Sequence, residues 1–138
     1  MRPLGICTYL LVAVLSVIAG CEERPARTSA TPAGRVVSLS PAVSVILKDL
    51  GLENQVVGRH AYEMVLDESL PTCGDQTGIN LERLMATQPD CVITQWGARD
   101  LPRRLTDRAA ADGWLLHDAR LLTLDDIRRE VPAIADVV

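Results

Sequence analysis

The sequence predicts an α/β domain, with a Rossmann-like parallel sheet and helices on both faces. Short runs rich in β-branched residues alternate along the chain with segments whose apolar residues recur at helical spacing. Such alternation is typical of βαβ units, in which crossover helices join parallel strands. Hydrophobic residues make up 48% of the chain but aromatic residues only 3%, and phenylalanine is absent. The predicted core is therefore built from aliphatic side chains.

The first predicted unit is a strand, a helix and a second strand. Residues 35–40 form a β-branched run. Ser40 followed by Pro41 is typical of a helix start, with serine as the N-cap and proline at the first helical position. The helix is expected to end at Gly51, and residues 55–58 form the second strand.

A polar loop over residues 59–71 and a short extended piece over residues 72–74 lead into the next unit. Asn80 can cap a helix there, because apolar residues such as Leu84 follow it at helical spacing. The following strand is predicted at residues 91–96.

The last part of the chain is predicted as a helix, a strand and a helix. Residues 101–112 form the first helix, and residues 114–117 form the strand. Thr123 caps the final helix, which Pro132 is expected to interrupt or kink. In sheets of this class, ligands bind beyond the carboxyl ends of the strands, so the loops at that edge are the candidate sites.

The amino terminus resembles a secretory signal. Residues 1–20 combine Arg2 with an apolar run that is short for a membrane span and that ends in small residues. Cys21 directly follows, as in the lipobox of bacterial lipoproteins, where the cysteine is lipidated. Residues 21–34 then form a flexible tether. We expect a lipid-anchored protein on the periplasmic or envelope side of a bacterial membrane, and Glu22 permits sorting to the outer membrane; an uncleaved anchor helix is the alternative.

Composition and motifs exclude several function classes. The net charge of -4 argues against nucleic-acid binding, which usually needs a basic face. The sequence has neither of the glycine-rich phosphate-binding motifs and no GxSxG nucleophile elbow. It also has no Cys/His cluster with metal-ligand spacing. We therefore expect no enzyme activity, no cofactor and no metal site.

Cys73, Cys91 and His60 are further candidate functional residues of the folded region. Cys73 and Cys91 could form a disulfide in an oxidising compartment, or they could be two small buried residues. His60 follows the second strand and is expected at the ligand-facing edge of the sheet, although a lone histidine is often structural.

Several segments, in this order, resemble the cobalamin- and siderophore-type solute-binding proteins of ABC importers. They are residues 35–41, 55–58, 78–84, 88–93 and 123–127. The cobalamin-binding members are the most similar, because Asn-Leu-Glu-Arg begins at Asn80 and Trp96 lies just after the next strand. The resemblance implies that residues 35–122 are the amino-terminal lobe of a two-lobed protein, and that residues 123–138 begin the helix joining the lobes.

The resemblance also implies residue roles. Glu82 matches the carboxylate that meets arginines of the permease; a capping carboxylate at the third helical position is a compatible alternative. Tyr62 matches an aromatic ring that lines the ligand cleft, and Trp96 lies near the place of another, one position later than in the family. For Trp96, a partly buried packing residue at a strand end is the alternative. His60 is expected among the ligand contacts at the same edge. The implied ligand is cobalamin or an iron chelate such as a siderophore or haem.

Two further positions depart from the family pattern. Val43 and its neighbours stand where an acidic residue is usual, and Gln76 replaces an aromatic residue of the cobalamin-binding members. The alternative function is therefore a lipoprotein interaction module that keeps the lobe but no longer binds a small ligand.

Overall fold

A computed structural model of the chain describes residues 34–97 and 99–138. Within these residues, six strands form one sheet: β1 (Val36–Ser38), β2 (Val56–His60), β3 (Thr72–Asp75), β4 (Gly78–Ile79), β5 (Cys91–Thr94) and β6 (Leu115–Asp118). Four α-helices accompany them: α1 (Pro41–Asp49), α2 (Leu81–Ala86), α3 (Arg103–Asp112) and α4 (Leu124–Val137). The predicted signal, the predicted lipidation site Cys21 and the tether as far as residue 33 lie outside the described residues. None of the helices in the described ranges is long and apolar enough to cross a membrane.

The strands are ordered β4-β3-β2-β1-β5-β6. Every neighbouring pair is parallel except β3 with β4, which is antiparallel. The predicted fold class is therefore confirmed, with β4 as an addition that the sequence analysis missed. This strand is only two residues long, which is too short for any periodicity to reveal it.

Two apolar clusters cover the two faces of the sheet. Successive residues of a strand point to opposite faces, so Val36 belongs to one cluster and Val37 to the other. The first cluster is completed by residues of α1 and α4, and the second by residues of α2 and α3. Helices thus lie on both faces, as predicted. Each fully buried aliphatic side chain contributes about 1.5–3 kcal/mol.

The predicted N-caps are confirmed. The Ser40 hydroxyl accepts the Val43 amide at 3.4 Å, and the Asn80 side chain accepts the Arg83 amide at 3.0 Å. Thr123 forms a capping box with Asp126. These polar groups satisfy backbone amides that have no partner within the first turn of a helix.

α4 continues through Pro132, so the interruption that was one of the two expected effects of this proline does not occur. Glu130 and Ile134, on either side of it, are both buried. The first turn is secured by Asp126, whose pKa is lowered to about 2 by a hydrogen bond from Arg129, helped by Thr123. The packing and the N-cap of α4 therefore stabilise the helix by more than the loss of the one backbone hydrogen bond that proline cannot make.

The turn between β3 and β4 depends on an aspartate and a glycine. One Asp75 carboxylate oxygen accepts the Thr77 amide at 2.7 Å, the Thr77 hydroxyl at 2.5 Å and the Gly78 amide at 3.1 Å. Gly74, just before it, has a φ of +110°, which L-residues with a side chain rarely adopt. Because glycine has no Cβ, the returning strand β4 can pass close to the backbone of β3 at this position.

Cys73 and Cys91 are free, buried thiols, so the disulfide alternative is wrong. Cys73 lies on β3 and Cys91 on β5, in different core clusters, with β2 and β1 between them. Three strand spacings amount to about 14 Å, twice the Cα separation that a disulfide allows. Burial raises the pKa of Cys73 to about 11 and that of Cys91 to about 12.

Both thiols are consequently expected to resist alkylation at neutral pH in the folded protein and to react fully in denaturant, because the thiolate is the nucleophile. Site-resolved mass spectrometry after iodoacetamide treatment measures this separately for each cysteine. A peptide cross-linked through Cys73 and Cys91 in a non-reducing digest would contradict the arrangement.

Candidate functional site

The carboxyl ends of five parallel strands meet at one edge of the sheet. The residues that follow these strands include Ser40 after β1, Tyr62 after β2, Gln76 after β3 and Gln95 after β5. Asp118 ends β6 at the same edge. In an open α/β sheet this edge is where ligands bind, so we call these loops the carboxyl edge.

Hydrogen bonds tie three loops of the carboxyl edge together. The Ser40 hydroxyl donates to the Gln95 side-chain oxygen at 2.6 Å. The Gln76 side-chain nitrogen donates to the Gln95 backbone carbonyl, and Arg99 donates to the Gln76 side-chain oxygen at 3.3 Å. The result is a polar row across the ends of β1, β5 and β3, with the Arg99 cation exposed at one end.

Asp118 fixes the segment that carries Trp96. Its Oδ1 accepts the Trp96 amide at 2.7 Å and the Thr94 hydroxyl at 2.6 Å. The Trp96 residue is only 9% exposed. It is thus held against the lobe, with its remaining surface at the border of a groove.

This groove has a volume of about 760 Å³. It lies between the β3–β4 turn, the start of α2 and the start of α3. It is lined by apolar and polar residues, among them Gln76, Ile79, Leu81, Glu82, Trp96 and Arg104. Two residues predicted for different roles, Trp96 for ligand and Glu82 for the permease, therefore share one groove.

Tyr62 is the most accessible of the predicted ligand contacts, with 72% of its surface exposed. The loop that carries it is held by Glu63, whose Oε1 accepts the amides of Met64, Val65 and Leu66. Although its partial burial acts in the opposite direction, the hydrogen bonds from these amides lower the pKa of Glu63. The exposed ring therefore extends from an anchored loop.

His60 differs most from its predicted surroundings, because it is only 7% exposed. Its Nδ1 accepts the Tyr62 amide at 3.0 Å, and the two rings are 5.8 Å apart. Burial lowers the pKa of His60, while the Asp75 and Glu63 carboxylates oppose the shift. The structure thus places His60 beneath Tyr62 rather than on the open surface.

Glu82 is exposed at the second position of α2. The capping alternative for Glu82 is wrong in its detail, because Arg83 occupies the third helical position and supplies the amide bound by Asn80. A carboxylate in the first turn still interacts favourably with the helix dipole. Its exposure leaves it accessible to a partner.

No group of three or more histidine, cysteine, aspartate or glutamate residues that could hold a metal ion occurs in ranges 34–97 and 99–138. The sequence analysis missed Ser40, Gln95 and Asp118 as residues that shape the carboxyl edge. Gln95 is the next-to-last residue of one predicted strand and Asp118 directly follows another, so the carboxyl-edge rule could have identified them. Their hydrogen-bond partners, however, come from other strands.

Comparison with known proteins gives a consistent result. A family model described as periplasmic binding protein matches residues 36–111. The vitamin B12-binding protein of Vibrio cholerae is 30% identical over 107 residues, covering 75% of this chain and 38% of that protein. The vitamin B12-binding protein of Yersinia pseudotuberculosis is 28% identical over 143 residues, covering 98% of this chain and 46% of that protein.

Solved structures of the same kind share the fold. The periplasmic vitamin B12-binding protein BtuF of Vibrio cholerae has a TM-score of 0.66 at 27% identity, covering 77% of this chain and 42% of that one. The periplasmic haem-binding protein RhuT of Roseiflexus has a TM-score of 0.59 at 28% identity, covering 75% and 41%. The chain spans less than half the length of the relatives that it matches. From the family model and the shared lobe, we conclude that the chain belongs to the periplasmic binding protein family.

Proposed function

We propose that the chain is the amino-terminal lobe of a solute-binding protein that captures cobalamin or an iron chelate, such as haem or a siderophore, for an ABC importer. The observation that carries this proposal is the pair of aromatic residues at the carboxyl edge, Tyr62 exposed and Trp96 bordering the groove. The relatives named for vitamin B12 and haem support the ligand class.

Large planar or macrocyclic ligands suit such an edge. Tyrosine and tryptophan offer wide, stiff contact surfaces and lose little entropy when they bind. Arg99, at the exposed end of the polar row, adds a cationic hydrogen-bond donor for the polar periphery of the ligand. The protein would perform no covalent chemistry, and any cobalt or iron would arrive within the ligand.

Delivery to the permease would use Glu82. An exposed carboxylate can pair with arginines of a partner and orient the docking of the lobe. Because Glu82 lines the same groove as Trp96, docking and ligand capture would occur on neighbouring surfaces.

Lipid attachment at Cys21 would keep the lobe close to the membrane. This part of the proposal is supported by the sequence alone, through the signal-like residues 1–20 and the tether at residues 21–34. The periplasmic relatives support an envelope location.

A second candidate is an interaction module without a ligand. It is favoured by three exposed apolar residues at the beginning of α4, namely Leu122, Leu124 and Ile127. Such a strip suits a protein partner. A stable complex through this strip, together with no binding of corrinoid, siderophore or haem, would favour this candidate over ligand capture.

Replacement of Tyr62 with alanine tests the ligand proposal. We expect binding of cyanocobalamin or haemin to weaken about two- to tenfold, because one aromatic contact contributes about 0.5–1.5 kcal/mol. Isothermal titration calorimetry measures the change, and Tyr62→Phe should retain most of the affinity.

Met64 provides the matched control, because it lies in the same loop and is 89% exposed. Met64→Ala should leave affinity unchanged, and neither alanine variant should change the melting temperature. If neither the unaltered chain nor any longer natural form of it binds a corrinoid, siderophore or haem, the proposal is wrong.

A further inference from the structure

One hydrogen bond connects the exposed ring of the carboxyl edge to a buried titratable group. The amide of Tyr62 donates to Nδ1 of His60 at 3.0 Å. His60 is the last residue of β2 and is 7% exposed, whereas Tyr62 is 72% exposed. The backbone position of the ring-bearing residue therefore depends on the chemical state of the imidazole.

Only a neutral imidazole can make this bond. When Nδ1 accepts a hydrogen bond, the ring proton must be on Nε2. Protonation places a hydrogen on Nδ1 as well, so that two N–H donors would face each other. The contact would then change from attractive to repulsive.

The groups around His60 determine when this change occurs. Asp75 on β3 and Glu63 in the following loop are the acidic groups that act on it, and both favour the imidazolium. The Asp75 carboxylate accepts hydrogen bonds from Thr77 and Gly78. Glu63 accepts three backbone amides through Oε1, while its buried Oε2 has no hydrogen-bond partner among the described residues. Burial outweighs both carboxylates and keeps the pKa of His60 below its ordinary value.

The rest of the loop is held independently of His60. Glu63 fixes the amides of Met64, Val65 and Leu66, on the carboxyl side of the ring. On the amino side, the Ala61 amide donates to the Gly74 carbonyl at 3.1 Å. Tyr62 lies between these two anchors. Its amide is held by His60, and protonation of the imidazole would break that hydrogen bond.

We propose that His60 is a positioning residue, which holds the Tyr62 backbone at the carboxyl edge while its imidazole is neutral and releases it when protonated. This role rests on the proposed function, since it matters for ligand capture only if Tyr62 contacts the ligand. In this role His60 would not contact the ligand itself. It would instead control the position of the neighbouring Tyr62 ring. Ligand capture would then weaken in mildly acidic surroundings.

Nuclear magnetic resonance of the ligand-free chain tests the bond directly. Long-range proton–nitrogen spectra should show the Nε2–H tautomer of His60 at pH 8. Between pH 8 and pH 5 the Tyr62 amide proton should move upfield together with the His60 titration, with a midpoint below about 6.5. An Nδ1–H tautomer, or a Tyr62 amide shift that does not follow His60, would overturn the proposal.

Two variants separate positioning from a general effect of acid. Asparagine at this position keeps an acceptor oxygen near the place of Nδ1 but cannot be protonated in this range. His60→Asn should therefore give a Tyr62 amide shift that is constant from pH 8 to pH 5. His60→Phe keeps a ring but removes the acceptor, so the upfield shift should be present at every pH. A pH-dependent Tyr62 shift that persists unchanged in either variant refutes the role.

Binding measurements distinguish this role from the proposed function. Across the pH range in which the Tyr62 amide titrates, affinity for cyanocobalamin or haemin should fall about two- to tenfold in the unaltered chain and stay constant in His60→Asn. If neither compound binds at any pH in this range, the proposed ligand class fails, while the amide titration still decides the hydrogen bond. If binding is equally dependent on pH in both proteins, the positioning role in ligand capture is refuted.

Discussion

Replacement of Gly74 with alanine is expected to lower the free energy of unfolding by about 3 kcal/mol or more. A φ of +110° costs a residue with a side chain about 1–3 kcal/mol. In addition, a Cβ at this position would overlap the Gly78 carbonyl oxygen and lie 2.8 Å from the Cα of Ile79. Backbone atoms cannot move aside without breaking the pairing of β3 with β4, and overpacking of this kind costs about 1–3 kcal/mol more.

This substitution should also disturb the candidate site. The β3–β4 turn carries Gln76, which donates to the Gln95 carbonyl, and it leads directly into Asn80 at the start of α2. We therefore expect a melting temperature lowered by about 12 °C or more, together with weaker ligand binding in the protein that remains folded. Thermal unfolding followed by circular dichroism measures the first effect.

Gly78 is the matched control in the same turn. A Cβ on Gly78 would have no heavy atom within 4 Å. Gly78→Ala should therefore change stability by less than about 0.5 kcal/mol. Equal melting temperatures for the two variants would show that the close approach of β4 to β3 is wrong.

Reversal of the charge at Glu82 should have the largest effect on transport. We expect Glu82→Lys to reduce affinity for the permease at least tenfold, because a lysine would face the arginines that the carboxylate is proposed to meet. Ligand affinity should change less than affinity for the permease, because Glu82 shares the groove with Trp96 but is not one of the proposed ligand contacts. The folded lobe should lose at most about 1 kcal/mol, from the favourable placement of a carboxylate in the first turn of α2.

Glu82→Gln and Glu53→Lys complete this experiment. Glutamine removes the charge with little change of shape, so it should weaken docking less than lysine does. Glu53 is an exposed carboxylate that precedes β2, at the opposite edge of the sheet, and its reversal should leave docking intact. Surface plasmon resonance at two salt concentrations measures the affinity of all three variants for the purified permease. Uptake and docking that are unaffected by Glu82→Lys would exclude the docking role.

Local chemistry explains why most elements could be predicted. Ser40, Asn80 and Thr123 each cap a helix through a side chain that reaches an amide three residues ahead, and such bonds depend on little beyond the local sequence. The element boundaries were less accurate: residues 91–96 were predicted as one strand, but β5 ends at Thr94. The strand ends there because Asp118, 22 residues after Trp96, binds the Trp96 amide.

The candidate site was predicted only in part, for the same reason. The sequence indicated Tyr62, Trp96 and Glu82, and the structure places them at the carboxyl edge or on the groove beside it. It could not show that His60 is buried under Tyr62, or that Ser40, Gln95 and Gln76 form one polar row. Whether Cys73 and Cys91 are joined was equally undetermined, because the answer depends on strand order.

The sequence by itself determined the fold class, the family and the starts of α1, α2 and α4, because periodicity, caps and short motifs act over a few neighbouring residues. The tertiary structure decided which face and edge each side chain occupies. Strand order separates the two cysteines, and the antiparallel return of β4 creates the turn that carries Gln76. These features arise from contacts between residues that are distant in the chain, so local sequence patterns do not predict them.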